Sequence, residues 1–95
     1  MDMKWLHDQI CDELEDCKMY AKKAMKAKEK GKAEYASVFG KIAEQELSHA
    51  DMLLDICKDK EQKKEYDVHE EVWKYMKECI SEEMAEAQSS LAMLK

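Results

Sequence analysis

Residues 42–54 read IAEQELSHADMLL, and residues 13–24 read ELEDCKMYAKKA. In the first stretch Ile42, Ala43, Leu47, Ala50, Leu53 and Leu54 return every three or four positions. That is the step of one helix face; a strand would alternate every second residue. Glu46 and His49 fall on this apolar stripe and interrupt it. The second stretch carries an equivalent stripe through Cys17, Tyr20 and Ala24, and there Glu13 is the interruption. Both helices hold polar side chains where a plain core helix would hold aliphatic ones.

The periodicity extends outward from both stretches. A first helix is predicted from about residue 4 to 28, with Trp5, Leu6, Ile10, Leu14 and Met25 on its stripe. It ends in KAKEKGK, where cations suit a helix C-terminus and Gly31 suits the left-handed position just beyond. A second helix is predicted over about 33–58, from Tyr35, Ala36 and Phe39 to Cys57. The short turn between them makes an antiparallel hairpin. The stretch KDKEQKKEYD is polar throughout and reads as a solvated connection. Asp67, with Glu70 three positions on, suits the N-cap of a third helix that runs to the end of the chain. Its apolar face would be Val68, Val72, Tyr75, Met76, Cys79, Ile80, Met84, Ala87, Leu91 and Leu94, interrupted by Glu83. The expectation is an all-α single domain, residues 1–95.

Composition agrees. The 95 residues include no proline, two glycines and no threonine, asparagine or arginine, which excludes sheet-based folds. A 40% charged content raises disorder, but 45% hydrophobic residues with two Trp and four Tyr oppose it. A chain this short buries only about two-thirds of its surface when it folds alone, so a partner, a metal or self-association is expected. Sixteen lysines against twenty-two acids, net charge −6, leave no concentrated basic face for nucleic acid. No apolar run is long enough for a membrane span, and the N-terminus lacks a cleavable signal pattern, so a cytoplasmic location is expected.

Cys11, Cys17, Cys57 and Cys79 form no CxxC pair and read as small buried hydrophobes in a reducing cell. His7 and His69 lack an acidic residue three positions before them and read as surface or packing residues. Met19, Met25, Met52, Met76 and Met84 read as gap-fillers between helices.

A buried carboxylate without a partner costs several kcal/mol, so Glu13, Glu46 and Glu83 each need a cation, a proton or a metal. Glu46 and His49 stand three residues apart, on one helix face. If the turn occupies residues 29–33, Glu13, Glu46 and His49 all lie roughly 18–23 Å from it, within one helical turn of each other. Two carboxylates and an imidazole thus converge in the seam of the hairpin. A metal or a hydrogen-bonded ion cluster would satisfy them.

These residues resemble the ferritin-like superfamily of di-iron carboxylate proteins, within which the rubrerythrins and the encapsulated ferritins are nearest. The family pattern is a Glu followed seven residues later by a Tyr, matched by Glu13 and Tyr20, then Glu-x-x-His-Ala, matched by Glu46, His49 and Ala50. The resemblance covers roughly residues 10–57; the third helix carries no second Glu-x-x-His. A full di-iron site takes about four carboxylates and two histidines from two hairpins. The resemblance therefore implies a four-helix-bundle core completed by a homodimer or higher homo-oligomer. The rival arrangement keeps the site in one chain, with Glu83 as an extra ligand.

The resemblance implies iron as the metal, with manganese or zinc also suited to these donors. It implies Fe(II) oxidation by O2 or peroxide, with Tyr20 ordering a ligand carboxylate or donating an electron. Rubrerythrin-like peroxide reduction is the second reading, weakened by the lack of rubredoxin-like CxxC pairs. Asp12, Glu15 and Asp16 would form either an acidic route for incoming iron or a solvated face. The tail LAMLK shows no encapsulin cargo pattern. A non-catalytic helical adaptor without metal is the competing class.

Overall fold

The structure, a computed structural model, describes residues 2–95. Its three helices are α1 (Met3–Glu29), α2 (Ala33–Gln62) and α3 (Glu70–Ala92), with no strand among the described residues. The chain is all-helical, as its periodicity predicts. No helix is long and apolar enough to cross a membrane.

The helix ends explain where the boundaries fall. Asp2 caps α1, its side chain accepting from the Trp5 N–H at 2.6 Å. At the other end Gly31, at φ +71°, allows the chain to fold back. There the Lys32 N–H donates to the Ala27 carbonyl (2.8 Å) and the Gly31 N–H to that of Lys28 (3.0 Å). These two bonds satisfy carbonyls that the helix would otherwise leave open.

Two expected boundaries are corrected. The polar stretch after Lys58 is not all connection, because α2 continues to Gln62. No glycine or proline lies there to stop it, and Glu61 is held from α3. The Trp73 Nε1–H donates to Glu61 Oε2 at 2.6 Å, and Lys77 Nζ to Oε1 at 3.1 Å. Asp67 does not cap α3, which starts at Glu70 with no side-chain cap. Asp67 instead accepts the Met3 N–H on both carboxylate oxygens, at 2.9 and 3.2 Å. The first amides of α1 are unpaired and electropositive, and they draw that carboxylate across the molecule.

α2 returns antiparallel to α1. α3 then runs alongside α1 in the same direction, so that Met3 meets Asp67 and Lys18 meets Glu83. α3 lies mainly on α1 and meets α2 through Trp73 and Lys77 at Glu61, in an elongated molecule of 50 × 18 × 17 Å. Leu6, Ile10, Leu14 and Cys17 of α1 form the centre of the core, under Ala43, Ala50 and Cys57 of α2. From α3 come Trp73, Ile80, Ala87 and Leu91.

The stripes are right in period but not at every position. Met3 is buried where Trp5 was expected, and Trp5 is exposed. Trp73 is buried where Val72 and Tyr75 were expected, and those two are exposed. The larger ring with its hydrogen bond to Glu61 sets the rotation of α3. On α2, Tyr35, Val38, Met52 and Ile56 are exposed although apolar.

Candidate metal centre

The register of the hairpin decides the site. Glu13 sits on the side of α1 that faces α2, and Glu46 and His49 stand opposite, at the same height. One donor atom from each lies within 4.8 Å of the other two. Donors on opposite sides of one ion would be about 4.2 Å apart at bonds near 2.1 Å, so the trio is close to a coordinating span. Glu13 and Glu46 are half-buried, and His49 is 51% exposed. At about 100° per residue, His49 lies some 60° round α2 from Glu46, toward the side that no other helix covers.

The electrostatics are unbalanced. Glu13 Oε2 is buried without a hydrogen-bond partner. His49 Nδ1 is 3.5 Å away, within ion-pair reach but not hydrogen-bonded. Proton sharing with Glu13, burial and the charge of Glu13 push the Glu46 carboxyl up, while His49 opposes this. With both carboxylates ionised there is no donor between them. A proton or a cation is needed. Beneath them, burial and then the charge of Glu46 push the Cys17 thiol up, so this fully buried side chain remains a neutral floor.

Glu83 is not brought to this group. Its Oε2 accepts from Lys18 Nζ at 2.7 Å, and Lys18 also bonds Glu86 Oε2 at 2.9 Å. Lys18 is five residues past Glu13, about 140° round α1, so it faces α3 while Glu13 faces α2. Tyr20 lies two helical turns nearer the hairpin turn, about 10 Å along α1 from Glu13. Its ring stacks on Phe39 with centroids 6.2 Å apart, and Lys23 Nζ stands 5.5 Å from the Tyr20 centroid. Asp12, Glu15 and Asp16 are exposed around Glu13. Lys18 as the partner of Glu83 gave no sequence signal, since the two are 65 residues apart.

The rubrerythrin family profile matches residues 4–92. The chain belongs to the rubrerythrin family. That match spans all three helices, well beyond the hairpin that carries the motif, and places the chain in the ferritin-like superfamily. Rubrerythrin-family proteins typically bind iron, and the Glu13, Glu46 and His49 donors fit it chemically. Two oxygen donors and one nitrogen suit Fe(II), Mn(II) or Zn(II), and Glu13 Oε2 lacks the positive partner that such an ion supplies. No curated protein and no solved structure matches this rubrerythrin-family chain.

Proposed function

We propose that this chain oxidises Fe(II), with O2 or peroxide accepting the electrons, at a di-iron site shared by two copies. Each copy gives Glu13, Glu46 and His49. The observation that carries this reading is the position of the trio: three metal-type donors, one a buried oxygen without any hydrogen-bond donor, at the edge of the α1–α2 seam, with His49 exposed. Two carboxylates and one imidazole are half of a four-carboxylate, two-histidine set, and a two-fold copy supplies the other half.

Bound iron would supply the electrons that reduce the oxidant. Glu13 and Glu46 balance its charge, and binding displaces the proton that their mutual repulsion otherwise favours. His49 contributes a neutral donor from the exposed side, where iron and oxidant arrive. Ala43, Ala50 and Cys17 close the inner side to water. Tyr20 stands two helical turns from Glu13, in a position to hold the packing or to pass an electron. Four free thiols fit a reducing compartment, which supports a cytoplasmic location.

Metal analysis tests the site directly. About one iron per chain is expected for two irons in a dimer of this kind. Glu46→Ala or His49→Ala should abolish binding, and retention in both would refute the ligand set. Aerobic Fe(II) addition should consume O2 and raise near-ultraviolet absorbance. Peroxide reduction is the second reading, favoured by the rubrerythrin match. It predicts that the oxidised site, re-reduced by an added donor, turns over peroxide repeatedly without accumulating Fe(III).

A further inference from the structure

The hairpin end of the molecule reverses its charge. The chain carries −6 overall, yet residues 22–32 hold six lysines and one glutamate. Lys23, Lys26, Lys30 and Lys32 line one open cavity of about 340 Å³, together with Tyr35 and Phe39. No carboxylate lines it. Glu29 and Glu34, the acids nearest in sequence, are not among its walls.

These four charges are unspent. Lys4, Lys18, Lys63 and Lys77 each meet a carboxylate within 3.1 Å, but among the described residues no lysine of the cavity makes an ion pair. Lys23 Nζ stands instead over the Tyr20 and Phe39 rings, 5.5 and 5.9 Å from their centroids, contacts that leave its charge whole. The helix dipoles account for part of the cluster only. The C-terminus of α1 favours Lys26 and Lys30. Lys23 precedes that last turn. Lys32 is the N-cap of α2, the end where the dipole opposes a cation, and no side chain caps the helix there. Four like charges round one small cavity repel one another, and a multiply charged anion would relieve all of them together.

We propose that this cavity binds a chain of two or three phosphates, free as pyrophosphate or carried by a nucleoside. One phosphate brings about two negative charges, so two or three of them match four ammonium groups, whereas a carboxylate ligand brings one. Lysine binds phosphate as a point charge and needs no fixed fork geometry, which suits side chains gathered from a helix end and a turn. The volume is that of a small-ligand site, which starts at roughly 300 Å³. Tyr35 stands eleven residues before Glu46, about 16 Å along α2. The cavity is therefore separate from Glu13, Glu46 and His49 and does not depend on iron there.

Isothermal titration calorimetry of the metal-free whole chain tests it, with pyrophosphate, ATP and inorganic phosphate in separate arms. At about 0.15 M salt a Debye length near 8 Å screens the diffuse attraction of the lysine-rich end. Pyrophosphate should saturate at one per chain, and inorganic phosphate should bind at least about tenfold more weakly. ATP binding as well as pyrophosphate assigns a nucleoside carrier; ATP failing where pyrophosphate binds assigns the free anion. Lys23→Gln combined with Lys32→Gln should weaken pyrophosphate about tenfold or more. Lys58→Gln combined with Lys74→Gln removes the same charge from exposed lysines outside the cavity and should change nothing. Circular dichroism of each variant checks that it folds. No saturable pyrophosphate binding, phosphate binding as tightly as pyrophosphate, or equal weakening in the two double variants would each overturn the proposal.

Discussion

Glu46 and Glu13 face each other without a donor, a local instability that a proton or a bound cation would relieve. Glu46→Gln would place an amide N–H against the Glu13 carboxylate and remove one charge. The metal-free variant should be more stable, by about 1 kcal/mol. For a domain of this size that is a rise of roughly 4–8 °C in Tm, read by circular dichroism in the presence of a chelator. The same variant should lose iron binding. An equal or lower Tm would mean that the pair is already satisfied. The sequence showed Glu13, Glu46 and His49 as interruptions of apolar stripes. It could not show that Glu83, an equally clear interruption, is answered by Lys18, because that pairing depends on how α3 lies against α1.

The helix ends hold two further tests. α2 closes with the same pair of backbone bonds as α1, Lys64 N–H to Glu61 and Glu65 N–H to Lys60, but Lys64 takes the left-handed position at φ 56°. A side chain there costs about 1 kcal/mol relative to glycine. Lys64→Gly should therefore raise Tm, whereas Gly31→Ala should lower it. Asp67→Ala removes the carboxylate bound to the Met3 N–H and should cost about 1 kcal/mol, seen as a lower urea midpoint. The hydrogen bond from Trp73, and then Lys77, hold the Glu61 carboxyl below its ordinary value despite opposing burial. A depressed carboxyl stabilises above its unfolded value, and that contribution is lost as pH falls through the folded one. Acid unfolding of Glu61→Gln should thus be shallower below the ordinary glutamate range, by about 1 kcal/mol or less given the exposure of the pair. The end of α2 was not legible in the sequence because neither glycine nor asparagine marks it.

At the scale of the molecule, the apolar arc of α2 is too wide for its neighbours. From Leu47 and Leu54, through Ala43 and Ala50, to Val38, Ile56 and Met52, it spans roughly 220° at 100° per residue. A surface helix needs an apolar stripe of only about 100°. α1 and α3 cover one half of the arc; Tyr35, Val38, Met52 and Ile56 remain exposed, with His49 among them. A second copy would cover this face and complete the di-iron set at once. Met52→Lys with Ile56→Lys should leave helicity unchanged, yield a monomer in native mass spectrometry and reduce bound iron. A monomeric native protein with full iron content would refute the shared site.

The sequence by itself determined that the chain is helical, that two helices pair as a hairpin, and that Glu13, Glu46 and His49 meet. Those results depend on the helix period and the rise per residue, which are local and fixed. The tertiary structure alone decided the rotation of α3, the bond from the Met3 N–H to Asp67, and the placing of Glu83 against Lys18. It also decided which half of the α2 arc is left bare. Each of these turns on how one helix is set against another, and an apolar stripe specifies only that it will be covered, not by what.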